Sequence, residues 1–191
     1  MPAVDRKEEI LTTCLNQFVE KGLYRTTSRD LSGALKLQNS GLYYYFKSKD
    51  EAVIACAEEA SFLLEDGLII PALADTDNAD RLIANLYKRS TNLAPMMRFL
   101  SQVCSANEYR DAMNPALFRL EQRFRDYALR FARKLNCDVE VIEPYFSMCV
   151  SMMSNYMLFG ECAYISPQIR IVTEKLNELI SVAKESNDRG C

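Results

Sequence analysis

Residues 27–51 read TSRDLSGALKLQNSGLYYYFKSKDE, and the order of residue types in this stretch decides the fold. Thr27 and Asp30 have the spacing at which an N-cap hydroxyl takes the N3 amide while the N3 acid reaches back to the cap. Ser48 and Glu51 repeat that spacing, and Asp5 with Glu8 resembles it, so helix starts are marked three times before residue 52. Leu31 and Leu35 stand four apart, as do Leu42 and Phe46, which lets each short helix turn one apolar stripe inward. Leu37, in the connection, plugs the corner. The pattern is two short helices at a tight turn followed by a basic helix start, a helix-turn-helix.

The preceding segment supplies a third helix for such a unit. Ile10, Cys14 and Phe18 recur every fourth residue with Leu11 and Leu15 beside them, and Gly22 stands where a helix ends in a left-handed residue. This first helix is the floor on which the other two rest.

The combination from Ile10 to Ala52 resembles the DNA-binding domain of the TetR family of transcriptional regulators. The residues that carry the resemblance are Ile10-Leu11, Cys14, Phe18, Gly22, Thr26-Thr27, Asp30-Leu31, Leu37, Leu42-Tyr43, Tyr45-Phe46 and Lys49. They span about a quarter of the chain, and their specificity lies in the set, since any one of them is common. Two positions depart from the family pattern. Lys36 stands where the turn usually has Gly, and a Cβ-bearing residue in a left-handed conformation costs about 1 kcal/mol. Gln38 replaces the small hydroxyl residue usual at the start of the recognition helix, which shifts the capping role to Asn39 or Ser40 and leaves two registers for the base contacts. Gly33 and Gly41 weaken a helix but permit close backbone approach, between helices for Gly33 and to DNA for Gly41.

Charge points the same way. From Lys21 to Lys49 there are six bases (Lys21, Arg25, Arg29, Lys36, Lys47, Lys49) and one acid (Asp30), a local net charge of +5 in a chain whose net charge is −3. Phosphate attraction requires a positive recognition unit and makes no such demand on the rest. A pI near 5.2 is therefore compatible with nucleic-acid binding.

Candidate contacts follow from geometry and resemblance. With Leu42 and Phe46 inward, Asn39, Ser40 and Tyr43 lie on the outer side of the second short helix near its N-terminus, the part that meets base edges in the major groove. Asn39 is the base-reading candidate, because an amide pairs bidentately with adenine; the competing reading is a helix cap. Arg29 resembles a family position that reaches a base or a phosphate. Tyr43 and Tyr45 are assigned to phosphates through their hydroxyls, Lys49 to a phosphate at a helix N-terminus, and Thr27 to a phosphate contact beside its capping role. Tyr44 is read as packing.

Composition narrows the function classes. The chain has 191 residues, 49% of them apolar, enough for one compact core with a small head. No apolar run approaches twenty residues and the start, MPAVDRKEEI, lacks a signal core, so a cytoplasmic protein without membrane association is expected. Seven cysteines, no two closer than twelve residues apart, form neither a disulfide framework nor a CxxC knuckle. Histidine is absent, which removes His-based acid–base chemistry, Ser-His and Cys-His nucleophiles and most zinc ligation. Neither a P-loop nor GxGxxG occurs. No enzyme activity, cofactor or metal is expected.

Beyond residue 51 the chain reads as helices. One runs from 49 to about 70, bounded by turn signals at Pro71 and at 75–80. Shorter helices are predicted at 79–91 and 95–105, the latter with Pro95 in its first turn, and another at 115–135 with Leu117, Leu120, Phe124, Ala128, Phe131 and Leu135 inward. From Val139 to Phe159 apolar residues occur nearly all round, as in a helix covered on several sides. Gly160 ends it, and Ser166-Pro167 caps a last helix whose seam is Ile169, Val172, Leu176, Leu179 and Ala183. The reading is an all-α chain of about nine helices, with a three-helix DNA-binding domain at 1–50 and a larger helical domain at 51–191.

The resemblance implies that the last two helices of each subunit form a four-helix homodimer interface, so that two heads read a palindromic operator. It also implies a small effector bound in the 51–191 domain that releases DNA. Methionines and aromatics there suit an apolar pocket, with Phe62, Met96, Phe99, Phe124, Met148, Met152 and Tyr156 as candidate ligand contacts. Asn92, Arg123 and Asn155 are possible polar anchors. The expected function is a ligand-responsive transcriptional repressor. The alternatives are a DNA-binding activator or adaptor whose larger domain binds a protein, and a helical enzyme with a vestigial head.

Overall fold

The computed structural model describes residues 3–38, 41–74, 78–161, 163 and 165–188. Among these it contains eight α-helices and no strand: α1 (Ala3–Lys21), α2 (Ser28–Ala34), α3 (Lys49–Leu64), α4 (Ile70–Ala74), α5 (Ala79–Ser105), α6 (Asn107–Lys134), α7 (Val139–Phe159) and α8 (Ile165–Asp188). A 3-10 turn at Leu42–Tyr44 precedes α3, and a π-helical segment, Glu65–Ile69, joins α3 to α4.

The chain forms two compact units. The first holds residues 1–64 and 95–118, the second 65–94 and 119–191. The chain crosses from one to the other where α3 gives way to the π segment, within α5 at Pro95, and within α6 after Phe118.

In the first unit α1 packs on α2 and α3. Ile10, Cys14 and Phe18 are completely buried, as their four-residue spacing requires, together with Leu31, Leu42, Val53, Cys56 and Ala57. Phe99 of α5 stacks on Phe18, with ring centroids 5.3 Å apart and planes 12° off parallel. Val103, Tyr109 and Met113 complete this core.

In the second unit α7 packs on α8. Ile142, Cys149, Met152, Met153 and Met157 from α7 and Ile165, Val172, Leu176, Ile180 and Ala183 from α8 are buried. Gly160 closes α7 at φ 79°, its N–H donating to the Tyr156 carbonyl at 2.8 Å.

Several expectations are corrected. The segments predicted as 79–91 and 95–105 are one helix, and Pro95 lies in its interior. An interior proline costs about 3 kcal/mol, whereas burying Phe99, Leu100 and Val103 beyond it contributes roughly 1.5–3 kcal/mol each, so burial wins. Pro115 likewise lies inside α6 and does not begin it. Pro71 does not end a helix either; it is the second residue of α4, which follows α3 and the π segment without a break. The last helix begins one residue before the expected cap, at Ile165, with Ser166 and Pro167 in its first turn. These joins, with a 3-10 turn in place of a third α-helix in the helix-turn-helix, replace the expected count of about nine helices.

Candidate nucleic-acid interface

The start of α2 is fixed by its own side chains. The Thr27 hydroxyl accepts the Asp30 N–H at 3.2 Å, and the Asp30 carboxylate accepts the Thr27 N–H at 2.8 Å, closing the predicted capping box. The Lys21 ammonium, in the last turn of α1, donates to the same carboxylate at 2.7 Å. Hydrogen bonds from Lys21, then from the Thr27 hydroxyl and amide, hold the Asp30 carboxyl well below the usual carboxylate range. The only acid of the Lys21–Lys49 stretch is thereby spent on one of its six bases. Arg25, Arg29, Lys36 and Lys47 are exposed.

The turn after α2 keeps a left-handed residue despite its side chain: Lys36 has φ 54°. Its N–H donates to the Gly33 carbonyl at 3.1 Å, and the Leu37 N–H to the Ser32 carbonyl at 2.9 Å. Gly41 makes a close approach, but within the turn itself. A Cβ there would meet the Leu37 Cβ at 2.9 Å and the Gln38 carbonyl at 3.1 Å. Gly33 has nothing within 4 Å of a would-be Cβ, so the helix contact expected of it is absent.

Beyond the turn, Leu42 and Phe46 are buried while Tyr43 is 52% and Tyr44 86% exposed. Tyr45 is half-buried and meets Tyr44 edge-on at 5.1 Å. At the start of α3 the Ser48 hydroxyl accepts the Glu51 N–H at 3.1 Å, while the Glu51 carboxylate takes the Lys47 N–H, one residue before the cap. The Lys49 ammonium donates to the Leu23 carbonyl at 3.2 Å.

The predicted contact residues therefore fall as follows. Thr27, Arg29 and Tyr43 are exposed, Tyr45 and Lys49 are half-buried, and Asn39 and Ser40 lie outside the described residues. Tyr44, read as packing, is the most exposed large apolar side chain among the described residues. Its exposure follows from the inward placement of Leu42 and Phe46, which leaves Tyr43 and Tyr44, of the three positions between them, outside.

Residues 10–56 match the family model described as bacterial regulatory proteins, tetR family. Over these residues the chain is similar to the TetR family. Solved structures extend the likeness to nearly the whole chain. A protein from Mesorhizobium loti MAFF303099, assigned to the TetR-family transcriptional regulators, superposes with a TM-score of 0.67 at 16% identity, over 95% of this chain and 98% of that one. A TetR-family transcriptional regulator from Streptomyces coelicolor gives 0.59 at 14% identity over 99% and 86%, and the TetR-family regulator PfmR from Thermus thermophilus gives 0.52 at 22% over 91% and 95%. At these identities the likeness is one of fold. No curated protein matches this chain by sequence. The chain thus has the fold of these regulators, and its first 56 residues contain the family match.

The candidate ligand residues do not share one cavity. Phe62, Met96 and Phe99 belong to the first unit, where Phe62 is exposed and Phe99 is stacked in the core. In the second unit Phe124 lines a groove of about 440 Å³ between α6 and α7 with Glu143 and Phe146. Met148 and Met152 line one of about 360 Å³ between α7 and α8 with Asn155 and Gln168. Tyr156 meets Tyr87 edge-on at 4.7 Å and borders a cleft of about 630 Å³ with Gly160 and Ile169.

One polar cluster of this unit escaped the sequence reading. Glu65, 3% exposed at the start of the π segment, binds Arg123 at 2.6 Å and lies 3.4 Å from the Tyr127 hydroxyl. Burial, then Glu65, raises the Tyr127 hydroxyl pKa. Arg123 was a visible anchor; its partner is brought to it by the fold alone. Among the described residues no helix is long and apolar enough to cross a membrane, and no group of three metal-ligating side chains occurs.

Proposed function

We propose that the protein is a homodimeric transcriptional repressor that binds a palindromic operator and leaves it when a small, mostly apolar ligand enters the larger domain. Residues 1–50 are the recognising part in this reading and 51–191 the ligand-binding and dimerisation part. The observation that carries it is the head itself: Leu42 and Phe46 are buried while Tyr43 and Tyr44 are exposed, as are Arg25, Arg29, Lys36 and Lys47. Aromatic hydroxyls and cations on one small domain are the groups that bind phosphates and fix register on a duplex.

Dimerisation is supported by the apolar exposure of the last two helices. Val141, Met148 and Phe159 on α7 and Ile171 and Val182 on α8 are 37–73% exposed. Exposed apolar side chains concentrated on one helix pair mark an interaction surface. Pairing two heads by a two-fold axis turns few base contacts per head into a specific site.

Selection from random duplex DNA tests the reading. A palindrome should be recovered and its affinity should fall steeply with salt. Asn39→Ala should alter the preferred sequence, whereas Lys49→Ala should weaken all duplexes about equally and flatten the salt slope by about one. Recovery of no duplex preference sinks the proposal.

A further inference from the structure

Two hydrogen bonds bind the segment 95–118 to the recognising part of the first unit. The Gln102 side-chain oxygen on α5 accepts the Leu23 N–H at 3.3 Å, and the Tyr109 hydroxyl on α6 donates to the Asp50 carboxylate at 2.8 Å. Both reach the surroundings of Lys49: Leu23 accepts its ammonium, and Asp50 follows it in the chain.

Leu23 is held from two sides. Its N–H goes to Gln102 and its carbonyl takes the Lys49 ammonium at 3.2 Å. The loop around it is tied by its own hydrogen bonds. Gly22 is left-handed at φ 87° with its N–H on the Phe18 carbonyl, and the fully buried Thr26 donates its hydroxyl to the Gly22 carbonyl at 2.8 Å. Leu23 itself is 1% exposed, so its N–H has no water to turn to if Gln102 withdraws. A displacement of Gln102 therefore reaches Lys49 through one residue. Thr26 also leads directly into the Thr27 cap, so the same loop orients Arg29.

The second bond acts on the neighbouring residue. Asp50 lies in the first turn of α3, and Tyr109 is 6% exposed. Burial, then the Asp50 hydrogen bond, keeps the Tyr109 phenol protonated, so that it is a constant donor to that carboxylate. Apolar packing by Phe99 on Phe18 would hold the segment in place without either bond. The bonds add direction to that attachment.

We propose that Gln102 and Tyr109 are positioning residues for DNA binding: through Leu23 and Asp50 they set the placement of Lys49 and the first turn of α3, and thereby operator affinity, without touching DNA. The proposal rests on the DNA-binding reading above.

The test is duplex affinity across a potassium chloride series, using the sequence recovered by selection, for the full-length protein and for Q102L, Y109F, K49M and Q102L/K49M. Q102L and Y109F should each weaken binding by about three- to tenfold, the size of one net hydrogen bond, with helix content unchanged by circular dichroism. Q102L should flatten the salt slope as K49M does, and should weaken binding no further in the K49M background. Y109F removes one oxygen atom and is the safer variant for folding, so its affinity decides the matter should Q102L misfold. Wild-type affinity in Y109F and Q102L, or full additivity of Q102L with K49M, overturns this inference while leaving DNA binding intact. A wild-type protein that selects no duplex overturns both.

Discussion

Lys21 and Asp30 are paired across α1 and α2 at 2.7 Å, and Asp30 is also the N3 residue of the α2 capping box. One carboxylate thus caps a seven-residue helix and fixes it to the helix beneath. Asp30→Asn should lower stability, because the charge that binds Lys21 and strengthens the capping box is lost. The sign of its pH dependence follows from the depressed carboxyl: a pKa lower in the folded than in the unfolded state contributes stability above the unfolded value, near 4. That contribution should shrink as pH falls below this value and vanish once the folded carboxyl protonates. Urea unfolding of both proteins from pH 7 to pH 2 should therefore show curves that converge in acid; a constant gap would assign the loss to something other than the charge.

Lys36 holds a left-handed backbone with a side chain attached. Lys36→Gly should raise stability by roughly 0.5–1 kcal/mol, because relief of the Cβ clash outweighs the greater freedom of glycine in the unfolded chain. Thermal unfolding should move up by a few degrees. A lower melting temperature would mean that the lysine side chain contributes packing not evident from its exposure.

Glu65 and Arg123 form a pair buried chiefly on the carboxylate side, with 3% and 28% of the side chains exposed. Removing one partner of a buried pair costs about 3–5 kcal/mol, and the partial access of water to Arg123 reduces this to about 2–3 kcal/mol. Glu65→Ala should show that loss in urea denaturation, and Glu65→Gln, which keeps an acceptor, a smaller one. Equal losses would indicate that the charge matters and the hydrogen bonds do not.

Ile171 and Val182 stand eleven residues apart on α8, 54% and 62% exposed. Three turns separate them, so they share a face. If that face pairs with a second copy, Ile171→Asp with Val182→Asp should convert dimer to monomer in sedimentation velocity while leaving helix content intact. Removing the chain after about residue 160 should abolish dimerisation and operator binding together. A double variant that sediments unchanged would move the interface elsewhere.

The local features of the head and of α7 were legible because each is decided within a few residues. The Thr27–Asp30 box, the Ser48 cap, the left-handed Gly22 and the span Val139–Phe159 depend on spacing alone. Lys36 was legible in the same way, as a residue at odds with its turn. Pro95 and Pro115 misled because a local penalty was read as decisive, when burial of residues beyond each of these prolines outweighs it. The Glu65–Arg123 pair spans 58 residues and leaves no local trace.

What the sequence by itself determined is the type and order of the head's elements, since caps, turns and inward stripes act over one to four residues. Tertiary structure alone decided that residues 95–118 pack with that head, through the Phe18–Phe99 stack and the bonds of Gln102 and Tyr109. Those contacts join positions 59 to 81 residues apart, and their strength comes from burial against a partner that no neighbouring residue can specify.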